Sequence, residues 1–188
     1  MQKKLPSSFE LDRYGLHVRL VREDDAAFIL SLRTDPKLSR FIHPTENNEE
    51  KQRAYIRGYK EREIQGKDYY FIFFLRDEPV GLARIYNVRE TSFTFGSWLF
   101  KEGLPYWVSI AGAIIAREFA FEDLGKEKEI EADGTHEDNK GVISFSRMLG
   151  MNFDNYKMDK KGKYLTGYLL KEDFEKNKQR FIRTFPIK

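Results

Sequence analysis

The chain has 188 residues, 40% hydrophobic and 15% aromatic, enough for one domain with a substantial core. Its 33 basic and 30 acidic residues leave a formal net charge of +3, which gives no electrostatic footprint for nucleic acid. The absence of cysteine excludes disulfides, thiolate metal sites and a cysteine nucleophile, and no metal site is expected.

Residues 1–14 are polar and read as an N-terminal extension, frayed at its start, with no apolar segment that would make a signal peptide. Leu16, Val18 and Leu20 alternate with His17 and Arg19, which predicts a first strand. Glu23-Asp24-Asp25 supplies first-turn carboxylates for a helix over 26–33, ended by Thr34-Asp35-Pro36. A second helix is expected from Glu49 to Ile64, with Tyr55, Ile56 and Tyr59 as its buried stripe. Three strands follow, over 69–76, 80–88 and 92–100, joined by short turns and so read as an antiparallel meander. The first of them contains the longest apolar run, Tyr69 to Leu75, which is too short to span a bilayer. It should be central and covered on both faces. The reading is of a soluble cytoplasmic protein with no membrane partner.

The stretch from Phe95 to Met151 organises the rest. Gly96 inside the strand Gly96-Ser97-Trp98-Leu99-Phe100 predicts a bulge. Lys101 to Pro105 is a turn, and the apolar spacing from Ser109 to Asp123 is helical, with Gly125 as its stop. A helix that opens after a strand and a loop aims free N–H groups and a positive dipole end at one spot, which suits a phosphate and equally an unliganded βαβ crossover. A strand is expected over 127–135, with Glu131 and Asp133 on one face and His136 in the loop beyond. His136 titrates in a range useful for proton transfer. A helix over 139–149 stops at Gly150, a hairpin runs over 153–170, and a helix from Lys171 carries Phe174, Phe181, Ile182 and Phe185 on one face.

This order, β-α-α-β-β-β-α-β-α-β-β, resembles the GNAT superfamily of N-acyltransferases, and four pieces of local sequence carry the resemblance. Leu16 to Ala26 resembles the "LRLR…EDA" opening of the ribosomal-protein and sugar-amine acetyltransferase branches, and Leu30 to Pro36 continues it. Phe119 to Gly125 resembles the "yaFeeLG" end of the central helix, and Asp138 to Met151 the "DN..A...Y.kLGF" segment. Two departures stand out. The phosphate loop, usually Q/R-x-x-G-x-G/A, corresponds to Leu104–Ser109 and has neither glycine, so bulky side chains restrict close backbone approach to a pyrophosphate. The family's usual acid, a tyrosine, falls on Ser146, a poor proton donor to a leaving thiolate. The altered loop after a "GSW" strand is similar to sugar-associated members.

The resemblance implies a single domain over 1–188, with 171–188 as a C-terminal helix. Its α/β (α+β) fold is a mixed, mostly antiparallel sheet of about seven strands, splayed between the fourth and fifth and flanked by helices. It implies acetyl-CoA as cosubstrate and a small-molecule primary amine as acceptor, possibly on a nucleotide-linked amino sugar, in a monomer or homodimer. Acetyl-CoA would meet backbone groups of Trp98, Leu99 and Phe100, the loop and helix start from Tyr106 through Trp107, Val108, Ser109 and Ile110 to Ala111, and Asn139. The catalytic candidates are Ser146 as acid, and Glu131, Asp133 and His136 as base. Arg33, Arg84 and Tyr86 lie where the acceptor groove is expected, and arginines there suit a diphosphate or carboxylate. Of the two tryptophans, Trp107 beside a helix start is the better ligand-stacking candidate. Other expectations compatible with the sequence are a protein N-terminus or an antibiotic amine as acceptor, or a degenerate domain that binds a ligand or partner without catalysis.

Overall fold

The alternation in Leu16–Leu20 produces a strand, β2, whose Leu16, Val18 and Leu20 are buried while His17 and Arg19 are not. In the computed structural model, which describes residues 3–187, a short edge strand, β1 (Glu10–Arg13), precedes it and pairs with it antiparallel. The expected N-terminal extension is thus partly sheet. Four half-exposed residues, three of them charged, carry too little apolar signal to be read as a strand. The fraying expected at the start of the chain involves Met1 and Gln2, which lie outside the described residues.

The meander follows as β3 (Tyr69–Leu75), β4 (Glu78–Tyr86) and β5 (Ser92–Phe100), antiparallel throughout. Next in the sheet is β6 (Lys128–His136), then β8 (Gly162–Leu170), with β7 (Asn152–Asp159) at the far edge. Among the described residues the sheet has eight strands, one more than the sequence suggests because of β1. β6 runs parallel to β5 and pairs with it only at Ser92–Lys128 and Phe93–Glu129. Beyond those pairs the two strands diverge, and this is the splay expected between the fourth and fifth strands.

Helices α1 (Ala26–Arg33) and α2 (Glu49–Ile64) cover one face. The other face carries α3 (Tyr106–Glu118), extended by a π-helical turn at Phe119–Asp123, and α5 (Lys171–Ile182), with α4 (Lys140–Leu149) beside α5. β3 feeds both cores: Tyr69, Phe71 and Phe73 pack under α3, while Tyr70 and Ile72 pack under α1 and α2. On α2, Ile56 and Tyr59 are buried as expected, but Tyr55 is 43% exposed and belongs to the cleft described below. α3 starts three residues before the expected Ser109, because Pro105 supplies the fixed entry dihedral without needing an N–H there. Among the described residues no helix is long and apolar enough to cross a membrane.

The β7–β8 edge depends on one glycine. The register between Asn152–Tyr168 and Asn155–Thr166 leaves an extra residue on β7 opposite Gly167. A Cβ at Gly167 would lie 1.9 Å from the Asn152 carbonyl oxygen and 2.9 Å from the Phe153 Cα. Those are backbone atoms that cannot swing aside, so Gly167→Ala is expected to destabilise the fold by about 1–3 kcal/mol in urea titration. Faster hydrogen exchange on β7 than on β3 would locate the damage; equal stability of parent and variant would contradict the close approach.

Candidate active site

The divergence of β5 from β6 opens a cleft of about 1420 Å³. Its walls are the α1–α2 loop on one side and β6, α4 and the β7–β8 hairpin on the other. A second pocket of about 290 Å³ lies at the N-terminus of α3, and Trp98 and Phe100 border both.

The bulge predicted at Gly96 is present. β4 pairs Arg84 with Gly96 and Leu82 with Leu99, so Ser97 and Trp98 face a single residue, Ala83. Ser97 has a positive φ of 48°, the local cost of the bulge. Trp98 holds the bulge in place. Its indole Nε1 donates to the Ser109 carbonyl at 2.9 Å, and its ring packs on Phe145 at 5.1 Å. Leu99 and Phe100 are buried, so they offer the cleft backbone groups rather than side chains. The Phe100 ring fills a slot between Gly81 and Gly112, where an added Cβ would come within 2.2 and 2.4 Å of it.

The preference between the tryptophans is reversed. Trp107 turns away from both pockets and packs toward Phe185 and Gly15. Trp98 is the one on the cleft. Tyr106, Trp107 and Val108 form the first helical turn rather than a loop, and Val108 and Ala111 are buried, with Ile110 packed on the same core. Only their backbone could face a ligand, and Pro105 at the N-cap removes one donor from that set. Tyr106 is exposed and borders the smaller pocket with Lys101 and Ser109.

These features suit acetyl-CoA. The β5 edge beyond Phe93 has no β6 partner, and the bulge and the α3 start offer backbone N–H groups near the lysine. Asn139 sits at the N-cap of α4, and its side chain makes no capping bond, so the amide is available to the cleft it lines.

The four catalytic candidates separate on geometry. Glu131 is on β6 at the mouth of the splay, where its carboxylate accepts from the Gly134 N–H at 3.0 Å and Thr135 Oγ1 at 3.4 Å. Burial, and next the Glu129 carboxylate, raise its pKa to about 7, against the opposing pull of those two donors and Arg117. Asp133 lines the same cleft but is more exposed than Glu131. The register of β6 on β8 jumps between Glu131 and Thr135, which places two extra residues on β6 with Gly134 at φ 89°. Asp133 is exposed and accepts from the Tyr86 hydroxyl at 3.1 Å. Tyr86 stays protonated: burial, then the Asp133 and Glu131 charges, push its phenol well above its ordinary value. A bulge with this effect follows Asp-Gly at 133–134, a turn signal that alternation alone overlooks.

His136 closes β6 rather than following it in a loop. Its Nδ1 accepts from the Asp138 N–H at 3.1 Å, which leaves Nε2 to donate to the Lys161 carbonyl at 3.0 Å. The ring stacks on Phe41 of the α1–α2 loop and meets Tyr164 edge-on. Both nitrogens are used, and the imidazole serves as a clasp between the two walls of the cleft. Ser146, from α4, is buried and lines the same cleft.

On the α1–α2 side of the cleft, where the acceptor groove is expected, Arg33 donates to Thr45 Oγ1 at 2.7 Å and the His43 carbonyl at 3.4 Å. The Arg84 guanidinium is held by both oxygens of buried Asp68 and donates to the Tyr55 hydroxyl at 2.6 Å. It lies 5.3 Å from the Tyr86 ring centre. The basic hairpin contributes Lys157 and Lys161 to the far wall, while Lys160 stays in solvent.

The family description "Acetyltransferase (GNAT) domain" matches residues 16–152. Among solved structures, the chain is similar to apo FdhC, described as a nucleotide-linked sugar GNAT, at 30% identity and a TM-score of 0.78, covering 95% of this chain and 99% of that one. It is also similar to the ribosomal-protein-S5-alanine acetyltransferase from Vibrio fischeri, at 12% identity and a TM-score of 0.74, covering 88% of this chain and 98% of that one. A third is Mycobacterium smegmatis RimJ in complex with CoA-disulfide, at 14% identity and 0.75, covering 89% and 88%. No curated protein sequence gives a significant match. With a family match over most of its length, a splayed sheet, and a bulged strand facing a helix start, the chain belongs to the GNAT acetyltransferase family.

Proposed function

We propose that the protein transfers an acetyl group from acetyl-CoA to a primary amine on a nucleotide-linked amino sugar, with Glu131 as general base. The observation that carries this reading is Glu131 itself: a carboxylate at the mouth of the splay, raised to about 7, in a cleft open enough for a bulky acceptor. A base near neutrality holds its proton loosely enough to recycle and strongly enough to take one from an ammonium group. When bound, acetyl-CoA supplies the activated thioester. Backbone N–H groups of Trp98, Leu99 and Phe100 would polarise its carbonyl, and the first turn of α3 with Lys101 would face its phosphates. Asn139 would hold the pantetheine arm. Ser146 offers a hydrogen bond to that region rather than an acid, because an alkyl hydroxyl gives up its proton reluctantly.

Arg33, Arg84 and Tyr86 line the acceptor side of the cleft, and their cationic and aromatic character supports an anionic, nucleotide-bearing acceptor. The 30% identity to a structure described as a nucleotide-linked sugar GNAT supports the same class. One observation favours a second reading, binding without catalysis: the segment Leu104–Ser109 has no glycine, and its proline removes a donor.

Calorimetric titration with acetyl-CoA, beside free CoA and ADP, separates the two. Saturable binding is expected, followed by release of free thiol when amino-sugar nucleotides are added. At about a hundred times the dissociation constant the fold should gain roughly 2.7 kcal/mol of stability, seen as a melting shift. Binding without thiol release across amino sugars, peptides and aminoglycosides would favour the non-catalytic reading. Absence of binding at millimolar acetyl-CoA would end the acyl-transfer reading.

A further inference from the structure

Two buried polar atoms at the floor of the cleft have no hydrogen-bond partner among the described residues: Nε2 of Gln52 on α2 and the hydroxyl of Tyr70 on β3. Gln52 is 6% exposed and Tyr70 1%, yet both line the cleft. Unpaired buried donors are rare in native proteins and costly to keep. Leucine and phenylalanine would fill the same space without that cost, so the polar atoms point to a group that enters from the cleft.

The neighbouring charges say which kind of group. Burial pushes the Tyr70 phenol above its ordinary value, against the charge and side-chain contact of Arg33 and the charge of Arg84, so the hydroxyl keeps its proton and remains a donor. Among the described residues the Arg33 guanidinium donates to neutral oxygens, those of Thr45 and His43, and it also reaches the Tyr70 phenol oxygen, which leaves the phenol's own O–H without an acceptor. Arg84, next to it, is by contrast already engaged by Asp68. Gln52, Tyr70 and Arg33 line one cleft and offer an amide N–H, a phenol O–H and a guanidinium that meets no carboxylate among the described residues. Their complement is an oxyanion. Arg40, Lys157 and Lys161 elsewhere on the cleft wall favour one of high charge, a phosphate rather than a carboxylate.

The sheet register fixes the distance. Tyr70 pairs with Arg84 and Arg84 with Gly96, so the three form one row across the strands, ending at the bulge. Two strand spacings place Tyr70 roughly 10 Å from the bulge backbone. We propose that Gln52, Tyr70 and Arg33 form an oxyanion subsite that holds a phosphate of the acceptor while its amine reaches the splay. This deepens, and for the word acceptor rests on, the transfer reading above. The subsite decides which amines are taken: those carrying a phosphate group about two strand widths from the nitrogen.

The test is calorimetric titration with inorganic pyrophosphate and with uridine diphosphate, each alone and with CoA at saturation, and malonate as the carboxylate probe. Both phosphates are expected to bind with CoA present, and malonate much more weakly. Tyr70→Phe and Arg33→Met should each weaken the phosphates about tenfold, as expected for hydrogen bonds to a charged group, and Lys160→Met should leave them unchanged. Y70F keeps the side-chain volume, and a melting curve for each variant confirms folding. Phosphate binding that CoA abolishes, that neither variant weakens, or that malonate matches would overturn the subsite, as would no binding at all. Failure of CoA to bind would instead remove the transfer reading and leave the phosphate titrations to judge the subsite on their own.

Discussion

Glu131→Gln is expected to lower kcat by about 10²–10⁴-fold, the usual worth of a positioned general base, while leaving acetyl-CoA binding intact. The parent should show an acid limb in its rate with an apparent pKa of about 7, set by burial and the Glu129 charge, and the limb should vanish in the variant. Stability should move the other way. A carboxyl raised from 4.5 to about 7 in the folded state contributes its full stability below the ordinary value and loses it as pH rises through 7. At pH 8 the parent therefore carries a buried charge that costs on the order of 3 kcal/mol. Glutamine carries no such charge, so E131Q should melt higher than the parent at pH 8 and about equally at pH 4. A less active but more stable variant cannot be explained by misfolding. If E131Q kept its rate and Asp133→Asn lost it, the base would be Asp133.

The order of elements was readable because each rests on a strong local signal. Tyr69 to Leu75 could only be a covered strand, Asn48 through Ile64 is a well-capped amphipathic helix, and Gly96 marks the bulge that defines the site. The site was harder to read because its parts are set by register. Glu131 and Asp133 alternate in sequence and both line the cleft, but the β6 bulge before Thr135 gives Glu131 two internal donors and leaves Asp133 exposed beside Tyr86. Gln52 reads as an ordinary polar residue on a charged helix. Its importance comes from an unpaired buried amide and from the cleft it shares with Tyr70, a juxtaposition of distant segments that no window of sequence contains. The place of Tyr55 is hidden for the same reason. Helical periodicity says which side of α2 faces inward, and cannot say that part of that side faces a cleft. Trp107 looks ligand-facing in the sequence because nothing there shows that Pro105 already starts the helix, which turns its ring toward Phe185.

Arg117→Met is expected to cost about 3–5 kcal/mol of stability, the range for breaking a buried ion pair by removing one partner. Arg117, in the last turn of α3, donates from Nε and Nη2 to the two oxygens of Glu129 at 2.7 and 3.0 Å, and both residues are fully buried. Its guanidinium also lies 3.7 Å from the centre of the Phe95 ring and donates to the Ala113 carbonyl at 3.3 Å. Glu129 pairs with Phe93 at the last contact before β5 and β6 part, so the ion pair ties α3 to the root of the splay. Methionine would leave a buried carboxylate without its partner. Arg117→Met with Glu129→Leu removes both charges and should regain most of the loss, because apolar replacement of a buried pair is often neutral. Urea denaturation of parent, single and double variants measures this; a double variant as unstable as R117M would mean the pair's shape, not its charge, is what matters. The same pair also tunes the base. Glu129 raises the Glu131 pKa by more than Arg117 lowers it, so deleting both charges should shift the acid limb of the rate below that of the parent. The residual stability of R117M permitting, its limb should shift above it. Opposite displacements from the single and double variants, at comparable Tm for parent and double variant, would tie the structural ion pair to the chemistry at Glu131.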